Sequence, residues 1–143
     1  MITAVDTNIL IDILEPDPTY GSASKEALKR CLLEGVVVAC EVVWAEVSVV
    51  YAEAQDVLVE VLKQMGIQFS AMSLEASLMA ARCWFEYLKR GGGRKRIAAD
   101  FLIGGHALVQ CDRLLTRDKG FYREHFKGLT VITPQQATGL IAP

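Results

Sequence analysis

The amino-acid sequence predicts an α/β fold, with a mostly parallel central sheet of four to five strands flanked by helices. One observation behind this prediction is that short apolar segments alternate along the chain with longer segments of helical periodicity. Another is that the short segments are rich in β-branched residues, as expected of strands buried on both faces of a sheet. Together these patterns favour right-handed β-α-β units. The length of 143 residues suits one domain, so residues 1–143 are expected to fold as a single domain.

The predicted strands are short segments of mostly apolar residues. In order, they are residues 2–5, 36–39, 67–69, 113–116 and 130–132. The first segment stops at Asp6, and the last is followed by Pro134, which cannot donate a hydrogen bond to a neighbouring strand. Because 67–69 is so short, four and five strands both remain open.

The predicted helices carry apolar residues three and four positions apart and are bounded by capping or helix-breaking residues. In order, they are 8–14, a helix that ends at Gly35, 41–51, 52–65, 73–88 and 97–111. Ser22 or Ser24 is expected to cap the second helix, and Ser73 the fifth. Gly104 and Gly105 lie inside the last helix, where each glycine costs about 1 kcal/mol relative to alanine. Close packing is therefore expected at these glycines.

Four carboxylates stand where burial would make them costly unless a positive charge compensates them. Asp6 and Asp118 lie just past the ends of predicted strands. Asp100 lies in the first turn of a predicted helix, and Glu46 lies on a helix with apolar neighbours. Sites in open parallel sheets form outside the carboxyl ends of the strands, so such a fold could gather these acids. Gathered carboxylates repel one another unless a hard divalent cation holds them, which favours metal-dependent phosphodiester chemistry.

Each acid also has an ordinary structural interpretation when it is taken alone. Asp6 could cap the first helix. Asp100 could simply favour the start of a helix, and Asp118 could form a turn. Glu46 is the hardest to explain in this way, because its neighbours indicate a buried face. On the residue pattern alone, the structural interpretation and the metal site both stay open.

Several segments of the chain, in the same order, resemble the PIN-domain family, and most closely the VapC-type toxins of type II toxin–antitoxin systems. They are Asp-Thr-Asn-Ile-Leu from Asp6, the helix-borne Glu46, Ala-Ala-Asp-Phe-Leu-Ile-Gly-Gly-His-Ala-Leu, and Leu-Leu-Thr-Arg-Asp-Lys-Gly-Phe. The resemblance implies a metal-dependent endoribonuclease that hydrolyses RNA phosphodiester bonds, with acids around Mg²⁺ or Mn²⁺. The positions that match the family's roles are Asp6, Glu46, Asp100 and Asp118 as catalytic and metal-binding acids, Thr116 as a hydroxyl residue close to them, and Asn8 after the first acid.

The resemblance also implies partners, namely an RNA substrate, a small antitoxin that blocks the acidic pocket, and a second copy in a homodimer. Residues 42–62 could form the dimer surface or could face the protein's own core. Arg94, Lys95 and Arg96 follow three glycines, and they could bind the RNA backbone or form a solvated connector. A cytoplasmic location without membrane association is expected, because no uncharged stretch reaches the roughly 18 apolar residues of a membrane span.

Other classes of function remain open. A phosphatase of the haloacid-dehalogenase kind also has an Asp after its first strand, but it needs a second Asp two positions later, where this chain has Asn8. A PIN-like RNA-processing nuclease that is not a toxin would use the same acids. A non-catalytic interaction module would use them structurally, although a dead site usually lacks one acid. His106 could contact RNA or donate a proton, but a helix-borne histidine without a partner in the sequence is more often structural.

Overall fold

The computed structural model describes residues 1–93 and 98–135. Within those ranges the chain forms one sheet of five strands in the order β3-β2-β1-β4-β5, and every pairing is parallel. The strands are β1 (Ile2–Val5), β2 (Val36–Ala39), β3 (Ile67–Phe69), β4 (Arg113–Leu115) and β5 (Val131–Ile132). The predicted α/β fold with a parallel sheet is therefore confirmed, and 67–69 does form a strand at the edge of the sheet.

One or two helices connect each strand to the next along the chain. They are α1 (Thr7–Leu14), α2 (Gly21–Glu34), α3 (Glu41–Val50), α4 (Gln55–Gln64), α5 (Leu74–Lys89), α6 (Ala98–Gln110) and α7 (Phe121–His125), with a 3₁₀ turn at Ala52–Ala54. The central strands β1, β2 and β4 bury almost every side chain, and apart from Thr3 and Arg113 these side chains are apolar, without the alternation of a half-exposed strand.

The helix ends are only partly as predicted. Ser73 does cap α5, because its Oγ accepts the backbone N–H of Ala76 at 3.1 Å. The prediction that Ser22 or Ser24 caps α2 is wrong, because α2 begins at Gly21 without a side-chain cap. Ser24 is instead buried, and its hydroxyl donates to the Oδ2 of Asp12 at 2.9 Å. A buried carboxylate needs that donor more than an exposed helix end does.

Close packing at the two helical glycines is confirmed. A Cβ atom built on Gly104 would lie 2.4 Å from the ring of Phe126. A Cβ on Gly105 would lie 2.7 Å from the carbonyl oxygen of Ala76 and 2.8 Å from the Cβ of Ala80. These three distances are shorter than contacts that a real Cβ atom makes. The glycines therefore allow α6 to pack directly against α5 and against Phe126, which follows α7.

The segment 42–62 serves mainly the protein's own core. Val43, Val47, Leu58 and Leu62 are buried. On the same stretch Val49 is 76% exposed and Val57 is 64% exposed. The core interpretation therefore holds for one face of this segment, whereas a dimer through its exposed valines stays a prediction. Across residues 1–93 and 98–135, no helix has the length and apolar character that crossing a membrane requires.

Candidate active site

Asp6 lies at the carboxyl end of β1, next to the end of β4. Its backbone N–H bonds to the carbonyl of Leu115 at 3.0 Å, which continues the β1–β4 pairing by one residue. One carboxylate oxygen accepts the N–H of Thr7 at 2.7 Å, and the other accepts the hydroxyl of Thr116 at 2.8 Å. The side chain caps α1, so the structural interpretation of Asp6 is correct as far as it goes. The carboxylate is nevertheless only 6% exposed, which a cap does not require.

Thr116 connects the first acid to the last one. It follows β4 and is fully buried. Its hydroxyl donates to Asp6 and accepts the backbone N–H of Asp118 at 3.0 Å, while the amide of Asn8 lies 3.4 Å away. A hydroxyl that donates to one neighbour and accepts from others has its proton position fixed. Thr116 therefore sets the position of Asp6 relative to the turn that carries Asp118.

Glu46 reaches the same region from α3. Its Oε1 accepts the hydroxyl of Thr7 at 2.7 Å. Since the backbone N–H of Thr7 bonds to Asp6, this one threonine holds two acids that are far apart in sequence. Glu46 is half-buried, not fully buried as its apolar neighbours suggested, because Ala45 beside it is exposed.

Asp100 and Asp118 complete the set of acids from the other side. Asp100 lies in the first turn of α6, as predicted, and is half-buried. The Oδ1 of Asp118 accepts the N–H groups of Gly120 at 3.0 Å and Phe121 at 2.9 Å, so Asp118 does form the turn that its sequence context suggests. That turn starts α7, a helix that the sequence pattern did not predict.

All four acids line one pocket of about 350 Å³. The lining residues in the described part of the chain are Asp6, Thr7, Asn8, Ile11, Asp12, Glu46, Asp100, Arg117 and Asp118. The pocket lies outside the carboxyl ends of β1 and β4, where the strand order changes direction, which is the usual place for a site in such a sheet. Each acid comes from a different segment, so the fold itself brings them together.

The pocket suits a hydrated dication rather than a closed metal cage. Within residues 1–93 and 98–135, no group of three or more Asp, Glu, His or Cys side chains is arranged to hold a metal ion as it stands. Mg²⁺ commonly binds proteins through one or two carboxylates and keeps several waters, for which the pocket has room. The residues therefore fit Mg²⁺ or Mn²⁺ with hard oxygen ligands, and Asp6 with its three neighbouring acids would hold it.

The electrostatics of the pocket are also those of a site in which negative charge is in excess. The pKa of Asp6 is raised to about 6, mainly by burial and to a smaller degree by the negative charges of Asp100 and Glu46. The hydrogen bonds from Thr116 and Thr7 partly oppose this rise. A carboxyl group with such a pKa is held in the charged form at neutral pH at a cost in stability, and a bound cation would relieve that cost.

The raised pKa of Asp6 predicts how stability depends on pH in the absence of divalent cations. Because the folded-state pKa lies above the unfolded value of about 3.9, ionising Asp6 destabilises the fold, and this loss develops as pH rises from about 4 to 6. D6N removes the titration. In EDTA, the stability advantage of D6N over the wild type is expected to grow by roughly 2 kcal/mol between pH 4.5 and 7. Urea unfolding of both proteins across this range measures it, and a gap independent of pH would contradict the raised pKa.

Two buried groups beside the acids were missed by sequence reasoning. Tyr122 on α7 is 1% exposed, and its buried hydroxyl lies close to the carboxylate of Asp6. Burial, and then the charges of Asp6, Asp100 and Asp118, raise its pKa. Its only signal in the sequence is an aromatic position next to the Asp118 turn. Asp12 is 3% exposed, and an acid on the otherwise apolar α1 was the signal that could have found it.

His106 is not among the residues that line this pocket. His106 is 1% exposed, its Nε2 lies 2.9 Å from the hydroxyl of Ser70, and burial lowers its pKa, all of which favour the structural interpretation. Arg94, Lys95 and Arg96 fall outside the described residues, so their predicted contact with RNA stays a prediction.

The architecture and the site together define an α/β domain with an acidic pocket at the switch point of a parallel sheet. The family model for the PIN domain matches residues 3–127, so the chain belongs to the PIN domain family. Membership of this family argues against the alternative that the chain is a phosphatase of the haloacid-dehalogenase kind.

Solved structures share the fold at low sequence identity. VapBC2 from Rickettsia felis, bound to a promoter DNA fragment, matches with a TM-score of 0.74 and 16% identity over 93% of this chain and 98% of that chain. VapBC-1 from nontypeable Haemophilus influenzae gives a TM-score of 0.73 and 17% identity over 94% and 99% of the two chains. FitAcB from Neisseria gonorrhoeae gives a TM-score of 0.70 and 23% sequence identity over 94% of this chain and 98% of that chain. No curated protein matches the chain significantly.

Proposed function

We propose that this protein is a metal-dependent endoribonuclease and that it is the toxin of a VapBC-type toxin–antitoxin pair. The observation that carries the nuclease proposal is that Asp6, Glu46, Asp100 and Asp118, from four separate segments, line one pocket at the carboxyl edge of the sheet. Such a cluster is costly for the fold and has no evident structural benefit that a neutral set of residues would not provide. It is suited to holding a dication against a phosphate.

The chain's own residues would perform most of the positioning. Asp6, Glu46, Asp100 and Asp118 would hold Mg²⁺ or Mn²⁺, whose contribution when bound would be Lewis-acid activation of water and phosphate. Thr116 fixes the orientation of Asp6 through its hydroxyl. Thr7 holds Glu46 at the pocket wall. These bonds leave lone pairs on the carboxylate oxygens, because each oxygen can accept more than one hydrogen bond or ligand.

The toxin proposal has separate support. The similar solved structures are VapBC proteins, FitAcB and a toxin–antitoxin complex, and this chain covers 97% or more of the matched chain in each. The whole chain, 1–143, would then act as one toxin-sized domain in the cytoplasm, with a small antitoxin over the acidic pocket and a second copy as its dimer partner. A PIN-type RNA-processing nuclease with no antitoxin is the alternative that the same pocket allows.

A cleavage assay tests the nuclease proposal. Labelled single-stranded RNA should be cut when Mn²⁺ or Mg²⁺ is present, and EDTA should abolish the cutting. D100N should lose activity by more than roughly a hundredfold, since changes even beside metal ligands cost 10–100-fold. D56N is the matched control, because Asp56 is an exposed acid in the first turn of α4, as Asp100 is in the first turn of α6.

The outcome separates the candidate functions. Cleavage that survives EDTA or D100N would contradict the metal-dependent mechanism. Absence of any cleavage by the wild type would favour the interaction module. If the wild type cleaves RNA but its expression, compared with D100N, does not arrest growth, the toxin proposal fails and the RNA-processing nuclease is favoured.

A further inference from the structure

Arg117 is the only cationic side chain among the described residues that line the acidic pocket. It lies between Thr116 and Asp118, directly after β4. Its backbone N–H also points to the site, donating to the Oδ1 of Asn8 at 3.3 Å. The pocket therefore contains one fixed positive charge facing a group of acids.

The guanidinium of Arg117 is held on two sides. Its Nε donates to Asp12 Oδ2 at 2.7 Å and its Nη2 donates to Asp12 Oδ1 at 3.1 Å. Asp12 is itself buried and receives a further hydrogen bond from Ser24. The ring of Tyr20 lies against the face of the guanidinium, with 4.1 Å between the ring centroid and Cζ. These contacts fix the planar group and remove most of the entropy that an arginine otherwise loses on binding.

A purely structural role does not use the whole of this group. The bidentate pair with Asp12 occupies Nε and one N–H of Nη2, so the opposite edge of the guanidinium still carries donors. The side chain is 31% exposed although its carboxylate partner is only 3% exposed. A fixed, partly exposed edge of N–H donors is the arrangement in which arginine binds phosphate oxygens.

The acids make such a donor necessary. A phosphodiester carries a negative charge, and carboxylates around the pocket repel it at short range. A positive side chain fixed at the pocket wall offsets that repulsion and orients the anion, whereas a mobile surface lysine would offset it without orientation.

We propose that Arg117 binds a non-bridging oxygen of the substrate phosphodiester, and that Asp12 and Tyr20 hold its guanidinium in place for that contact. This inference rests on the proposed nuclease function and assigns to the site a substrate-binding residue in addition to its acids.

The test compares two variants in which no buried carboxylate is left without its cation. R117Q alone would leave Asp12 buried and unpaired, which destabilises proteins strongly. D12N keeps the arginine, and D12N/R117Q removes its charge, so the pair isolates the charge of Arg117. The measurement is the affinity for a 2′-O-methyl RNA oligonucleotide in Mn²⁺ at several salt concentrations, with gel electrophoresis after each titration to check that the oligonucleotide is intact. Thermal unfolding of each variant confirms that it is folded at the temperature used.

D12N/R117Q should bind the oligonucleotide about tenfold more weakly than D12N. Its salt slope, which is the steepness of log affinity plotted against log salt concentration, should be lower by about one. Its affinity for Mn²⁺ should be unchanged or severalfold higher, because a neighbouring cation has been removed. A general loss of site structure would instead lower both affinities. Equal oligonucleotide affinity and salt slope in the two variants would overturn the inference.

A single substitution provides a second test if the D12N variants do not fold. R117K keeps the charge but not the planar pair of donors, so it should bind RNA more weakly than the wild type with an unchanged salt slope. Wild-type affinity in R117K, together with an unchanged rate of RNA cleavage, would contradict the proposed contact.

If the wild type itself neither binds Mn²⁺ nor cleaves RNA, the nuclease proposal fails and this inference fails with it. Failure of the variant comparison alone, with an active wild type, would leave the nuclease proposal intact.

Discussion

Replacing Asp6 with Asn is expected to reduce RNA cleavage by more than roughly a hundredfold and, at the same time, to stabilise the cation-free protein at pH 7.5. The first effect follows because the amide is a poor ligand for a hard dication. The second follows because the charged carboxylate is buried beside Asp100 and Glu46 and has a pKa of about 6. The stabilisation should reach at most about 3 kcal/mol, which corresponds to the shift in pKa.

The fold should tolerate this substitution. Asn is as good an N-terminal cap as Asp, so the bond from Thr7 is kept. The bond from the Thr116 hydroxyl is lost, because the amide nitrogen of Asn is a donor and the Thr116 oxygen already accepts from Asp118 and Asn8. This loss costs about 1 kcal/mol, which offsets part of the stabilisation. Activity and stability should thus change in opposite directions, which misfolding cannot produce.

D112N is the matched control. Asp112 also accepts a backbone N–H from β1, that of Ile2 at 2.6 Å, but it does so at the amino end of the strands and is exposed. Cleavage by D112N should equal that of the wild type. Substantial activity in D6N would remove Asp6 from the chemistry. Loss of activity in D112N would mean that the loss in D6N is not specific to the acidic pocket.

Replacing Gly105 with Ala is expected to destabilise the fold. An added methyl group would lie 2.7 Å from the carbonyl oxygen of Ala76, which is backbone and cannot rotate away. Alanine in a helix gains about 1 kcal/mol over glycine, but forced overpacking typically costs 1–3 kcal/mol and more where backbone must move. The helices α5 and α6 would have to separate, and we expect a net loss of roughly 2 kcal/mol in the free energy of unfolding.

Chemical unfolding at pH 7.5 measures this loss. G120A is the control, because Gly120 has no atom within 4 Å of an added Cβ and a φ of −127°, which alanine readily adopts. G120A should unfold close to the wild-type denaturant concentration. Wild-type or higher stability in G105A would mean that the helices are not packed as closely as the structure shows.

The sequence predicted the sheet well because each central strand is buried on both faces and therefore consists mostly of apolar residues. It did not predict α7, which spans only Phe121–His125 and is too short to show a helical period. That helix depends on two tertiary features, the turn made by Asp118 and the burial of Phe121 and Tyr122. The turn was suggested by the sequence around Asp118, but the burial of Phe121 and Tyr122 has no local signature.

The candidate site divides in the same way. The acids stood out because single carboxylates in apolar surroundings are unusual, and their positions at strand and helix ends already suggested one edge of a sheet. The pairing of Asp12 with Arg117 could not be predicted from the sequence in this way. The two residues are 105 positions apart, and each alone is an ordinary helix or turn residue. Ser24 was a predicted cap of α2 for the same reason, since its actual partner, Asp12, lies on another helix.

The most direct test of the central claim is a titration of the purified protein with Mn²⁺, followed by electron paramagnetic resonance or calorimetry at pH 7.5. If the acidic pocket exists to hold a dication, the wild type should bind Mn²⁺ saturably and gain thermal stability as it does. The D6N/D100N variant should lose both the binding and the stabilisation, while D56N/D112N should keep them. Equal binding by the wild type and D6N/D100N, or no binding by either, would contradict the claim.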